Sequence, residues 1–77
     1  MTTEPQELFL DLCGLFPPEP MERVLDALSN LAVGQQVRML IDREPLPLYR
    51  ILERNGYLFE AAVTPTGLFE IVIREGV

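Results

Sequence analysis

Leu8, Leu10 and Leu12 recur at every second position in the stretch Glu-Leu-Phe-Leu-Asp-Leu over residues 7–12. A period of two is the repeat of a strand with one face on a core, so a first strand is predicted over 7–12, closed by Cys13 and Gly14. The spacing then changes. Met21, Val24, Leu25, Leu28 and Leu31 fall on one side of a 3.6-residue repeat, which predicts a helix over about 18–31 ended by Gly34. Prolines suit its first turn, whose N–H groups have no intrahelical acceptor, and Glu19 and Glu22 complement the dipole there. Val37, Met39 and Ile41 alternate again, predicting a second strand over 36–41. A second proline-marked opening, Asp42-Arg43-Glu44-Pro45-Leu46-Pro47, leads into a short helix with Leu48, Ile51 and Leu52 as its apolar stripe, stopped at Asn55-Gly56. Two last strands are predicted over 57–64 and 68–74, joined by a Pro65-Thr66-Gly67 hairpin.

The resulting order, β-α-β-α-β-β, predicts an α/β (α+β) two-layer sandwich: a four-stranded mixed sheet with both helices on one face. The first crossover sets two strands parallel, and the final hairpin pairs two antiparallel. Residues 7–77 form a single domain, and residues 1–6 read as a flexible N-terminal arm. Phe59, Ala61 and Val63 are expected to share the helix-covered face with Phe69, Ile71 and Ile73. Phe9, Leu40, Leu58, Ala62, Leu68 and Val72 then point to the open face, among Arg38, Glu60, Glu70 and Arg74. An apolar group of that size marks a docking surface, and a homodimer through the open face is one expectation.

Composition narrows the function. The 77 residues allow one core, and 48% hydrophobic content is ample for it. No stretch approaches the roughly 18 apolar residues of a membrane span, and the polar, acidic start lacks a signal peptide's basic flank, so the expected location is cytoplasmic. Twelve acids against six bases give a net charge of −6. All the bases are arginines, scattered along the chain, which argues against nucleic-acid binding and against an anionic membrane surface. Histidine is absent, removing the commonest general base and metal ligand. The single cysteine, Cys13, permits no intrachain disulfide and no thiolate zinc site. No motif for a nucleotide, haem or flavin is present, and no complete catalytic constellation. A non-enzymatic protein without cofactor or metal is expected.

The stretch Leu10-Asp11-Leu12-Cys13-Gly14-Leu15-Phe16-Pro17-Pro18-Glu19-Pro20 resembles the opening of the TusA/SirA-like sulfur-carrier family. Members carry a strand, a glycine, and a Cys-Pro-x-Pro motif at the mouth of the first helix. The likeness runs on through Val33-Gly34, the second strand ending at Asp42, and the proline-marked second helix. Pro17-Pro18-Glu19-Pro20 aligns with the motif, so two prolines match while Pro17 stands where the family has its cysteine. In the family that thiol sits at a helix N-terminus, which stabilises a thiolate and its persulfide. The chain therefore resembles an uncharacterised branch, a domain of unknown function that keeps the fold and the prolines without the cysteine. Some members of that branch are joined to hemerythrin-like or other redox-related domains, which implies a link to redox or nitrogen-oxide metabolism.

Three readings of the site follow. In the leading one the chain is a non-catalytic interaction or regulatory module. Gly14, Pro17, Pro18, Glu19 and Pro20, with Asp42 and Glu44 beside them, form a rigid rim that a protein partner reads. In the alternative, Cys13 is a displaced thiol that carries a persulfide and hands its sulfur to an acceptor, although a lone cysteine more commonly behaves as a small, half-buried apolar residue. A subunit accompanying a redox metalloprotein is a third reading. The acids Asp11, Glu19, Asp42 and Glu44 gather near the ends of strands one and two, where open α/β sheets bind ligands. They could hold a hard cation, but capping helix N-termini is their more ordinary use.

Overall fold

A computed structural model of the chain describes residues 7–76. The elements are β1 (Glu7–Asp11), α1 (Glu19–Ser29), β2 (Gln36–Ile41), α2 (Leu46–Arg54), β3 (Tyr57–Val63) and β4 (Phe69–Glu75). The arm expected over residues 1–6, and Val77, lie outside the described residues.

The four strands form one sheet in the order β1-β2-β4-β3. β1 runs parallel to β2, while β4 pairs antiparallel with both β2 and β3. The register carries the alternation straight across the sheet. Leu8, Val37, Ile73 and Phe59 form one row on the helical side; Leu10, Met39, Ile71 and Ala61 form the next. Val24 and Leu28 of α1 and Leu48 and Leu52 of α2 close over these rows, making one core with Leu12, Val37, Met39, Ile41, Ile71 and Ile73. Each such side chain contributes about 1.5–3 kcal/mol by leaving water. Tyr49 of α2 stacks on Phe59 with ring centroids 5.0 Å apart and planes 11° from parallel, fixing α2 above β3.

Three expectations are corrected. The first helix ends at Ser29 rather than Leu31, because Ser29 Oγ and Asn30 Nδ2 both donate to the Asp26 carbonyl, at 2.8 and 2.9 Å. Such local bonds compete with continuation of the helix. Leu25 is 36% exposed on the flank of α1, while Ala27 takes a place against the core. Ala61 and Val63 hold the expected register but are exposed, Val63 to 65%. The nine residues of α2 span about 14 Å, whereas the seven of β3 span about 23 Å, so the helix covers only part of the strand.

Neither helix has a side-chain cap at its N-terminus, where Pro18 and Pro45 occupy the N-cap positions. The acids expected to cap them are bonded elsewhere. On the open face Arg38 bridges three strands, with Nε 3.0 Å from Glu7 and Nη1 3.0 Å from Glu70.

Candidate functional site

The site is the loop from β1 to α1 and the adjoining mouth of α2. Leu12 carries β1 one step further, donating its N–H to Leu40 O at 2.8 Å with its side chain in the core. There the chain turns. Asp11 Oδ1 accepts the Cys13 N–H at 3.1 Å, the short-range bond by which an aspartate side chain stands in for backbone in a turn. Gly14 follows with φ +80°, a conformation that side chains disfavour, and its N–H donates to Asp42 Oδ2 at 3.1 Å. Leu15 then packs against the core. The loop is thus held by an acid on each side and an apolar anchor beyond.

Phe16 lies immediately after the anchor and is 83% exposed. The Pro17–Pro18 peptide bond that follows is cis. The Glu19 N–H donates back to Phe16 O at 3.0 Å, and Glu22 N–H to Pro18 O at 3.1 Å, so α1 begins directly behind the aromatic side chain. Pro20 meets Pro45 along a 30 Å³ apolar gap between the helices, lined also by Met21, Val24, Met39, Ile41 and Leu48. That gap is too small for an organic ligand. Its consequence is to place the two helix mouths side by side, with Leu46 exposed at the second.

The proposed rim residues are therefore brought together unequally. Gly14 and Asp42 are directly bonded, and Pro17, Pro18, Glu19 and Pro20 continue from them as one ridge. Glu19 pairs along its helix with Arg23 at 3.0 Å. Glu44 turns to α2, where its Oε2 accepts the Tyr49 hydroxyl at 3.4 Å. Among the described residues no group of three or more His, Cys, Asp or Glu side chains is arranged to hold a metal ion. Phe16 and Leu46 were missed as rim residues. The available signal was an apolar side chain next to prolines with no place in either helical stripe.

Cys13 is half-buried at the end of β1. Its thiol pKa is pushed up, first by burial, then by a hydrogen bond to Asp11 and the negative fields of Asp11 and Asp42. A reactive thiolate needs the opposite surroundings, positive charge or free helix-terminal N–H groups. The acids that shape the loop oppose ionisation of the only sulfur that could act in it.

On the open face, Phe9 and Leu58 are exposed, as is Ala62, while Leu40, Leu68 and Val72 are half-buried. The Glu7–Arg38–Glu70 bridge crosses between them, separating Phe9 from Val72 in the same row. A shallow depression of 210 Å³ lies beside Leu58, Glu60, Val72 and Arg74. None of the helices among the described residues is long and apolar enough to cross a membrane.

The fold and the proline-rich first helix mouth define a SirA-like two-layer α/β protein. A solved SirA-like protein from Desulfitobacterium hafniense superposes with a TM-score of 0.80 at 27% identity, over 91% of this chain and 99% of that one. Residues 9–75 match the family described as uncharacterized conserved protein (DUF2249), and the chain belongs to that family. A search of curated proteins gave no match.

Proposed function

We propose that this chain is a non-catalytic interaction module on a sulfur-carrier-like fold, and that its ridge from Phe16 to Pro20 recognises a protein partner. The observation that carries the reading is Phe16, 83% exposed on a loop clamped by Asp11 and Asp42. Large aromatic side chains supply much of the energy of protein interfaces. One held on an ordered loop loses little conformational freedom on binding. Glu19 and Glu22 follow it in the first turn of α1 and Asp42 holds the loop before it, so the fitting partner offers an apolar pocket edged with basic side chains. The sulfur-carrier-like fold suggests a partner in sulfur or redox metabolism, an argument by association.

A photo-cross-linking residue at position 16 tests this in cells, against a control at Val33, which is 99% exposed on a different loop. The reading expects a discrete adduct from position 16 that is absent from position 33 and weakened by substituting Pro18 and Glu19. Equal, diffuse labelling from both positions would count against the ridge.

Sulfur transfer through Cys13 remains the second reading, favoured by the incomplete burial of its thiol beside the helix mouth. The neighbouring carboxylates weigh against it.

A further inference from the structure

β3 ends the sheet, and its outer edge has no neighbour among the described strands. The ladder fixes which of its backbone groups are free. Thr64 N–H donates to Leu68 O and Gly76 N–H to Gly56 O, so the even-numbered positions of this strand face β4. In an antiparallel ladder the direction alternates, which leaves the N–H and C=O groups of Tyr57, Phe59, Ala61 and Val63 pointing outward. The far end of this edge is also apolar and uncovered: Ala61 and Val63 are exposed on the helical side, and Ala62 is exposed on the open face. It is nonetheless held in place. Thr64 Oγ1 accepts the Leu68 N–H at 3.0 Å and Gly67 N–H donates to Thr64 O at 2.9 Å, closing the hairpin beside it.

Natural sheets guard such edges with charges, prolines or bulges. The other edge strand, β1, carries Glu7 and Asp11 at its two ends. β3 carries a single charge, Glu60, and pairs with β4 without a bulge.

We propose that two copies of this chain pair antiparallel through β3, joining their sheets across a two-fold axis. The register follows from three constraints. Keeping the helices of both copies on the same side of the joined sheet requires odd positions opposite odd and even opposite even. Centring the axis on Glu60 would set two carboxylates directly opposite one another, which is unfavourable. Centring it on Ala62 would bring Pro65, which has no N–H, opposite Phe59. Centring it on Ala61 keeps the two carboxylates apart and moves Pro65 out to the end of the ladder, opposite Tyr57. Ala61 then faces its own copy, Phe59 faces Val63, and Glu60 faces Ala62. The outward groups of these three odd positions form about six hydrogen bonds, two at the Ala61 pair and two at each Phe59–Val63 pair. The pairing also covers Val63, the most exposed large apolar side chain of the sheet. Each copy carries a net charge of −6, so the dimer strengthens as salt screens the repulsion.

Concentration-dependent amide exchange by NMR, with sedimentation on the same samples, tests the pairing. The expected result is a monomer–dimer equilibrium that shifts toward dimer with salt. The Phe59, Ala61 and Val63 amides should slow at least severalfold between dilute and concentrated samples, while Ala62, already bonded within the sheet, changes little. Ala61→Pro removes an outward N–H without removing a bond to β4, and it should abolish association with the spectrum otherwise preserved. Val63→Lys, which puts a charge on the same edge, should do likewise if the proline variant folds poorly. A strict monomer at millimolar concentration would overturn the proposal. So would a dimer in which those three amides stay fast, the result expected of pairing through the open face around Phe9 and Leu58.

Discussion

Asp42 Oδ2 accepts the Gly14 N–H at 3.1 Å, tying the end of β2 to the loop after β1 across 28 residues of sequence. This bond decides what the helix mouth is. The carboxylate orders the loop that presents Phe16, and the same charge discourages a thiolate at Cys13. Asp42→Ala should destabilise the protein by about 1 kcal/mol, the usual net contribution of such a bond. Hydrogen exchange should localise the effect, with the Gly14 amide exchanging faster and the β4 core unchanged.

Two glycines should respond differently to the same substitution. At Gly14 a Cβ would meet no atom within 4 Å, so Gly14→Ala carries only the cost of φ +80°, about 1–2 kcal/mol. At Gly76 a Cβ would run into the backbone carbonyl of Gly56, whose oxygen also accepts the Gly76 N–H at 3.0 Å. Gly76→Ala should therefore displace the chain end from the α2–β3 turn. Loss of the Gly56 and Gly76 cross-peaks from their native positions, with the α1 region undisturbed, is the expected spectrum.

Cys13 should alkylate slowly. Burial and the Asp11 and Asp42 carboxylates hold its thiol protonated above the ordinary cysteine range. The rate of reaction with iodoacetamide should rise with pH later than for a free thiol in an unfolded peptide. Asp11→Asn removes one negative charge and should move the profile back toward lower pH. A profile centred below that of the peptide would contradict the electrostatic account.

Glu7 carries a pH dependence of the opposite sign. Hydrogen bonds from Arg38, then Gln36, hold its carboxyl below the usual range. A lowered folded pKa means that the stabilisation is present above the unfolded value and is lost as pH falls through the folded one. The difference in melting temperature between the wild type and Glu7→Gln should be largest near neutral pH and shrink to nothing in acid. High salt should narrow it too, because the pair is partly exposed.

The faces of the strands were legible in the sequence because side-chain direction in a strand depends only on parity. Leu8, Val37, Ile73 and Phe59 fall into one row as their alternation requires. The insertion of β4 between β2 and β3 was not legible, since pairing between non-consecutive strands is decided by the assembled core rather than by any local period. Leu25 fits the helical stripe of α1 yet lies on its flank, where the narrow helix–sheet contact leaves no room for the whole stripe. Within the site, Gly14 and Asp42 could each be singled out as a turn glycine and a strand-end acid. The bond between them depends on the sheet bringing β1 and β2 alongside, and Glu44, two residues beyond Asp42, is drawn instead to Tyr49.

A protein-binding role for the first helix mouth, in place of sulfur transfer, leaves Cys13 without a persulfide. The most direct test is intact-mass analysis after incubation with a cysteine desulfurase, cysteine and pyridoxal phosphate, beside a genuine sulfur carrier and a Cys13→Ser variant. An unchanged mass is expected while the genuine carrier gains sulfur in the same tube. A gain of one sulfur atom that disappears in Cys13→Ser would contradict that role and make Cys13 the working residue.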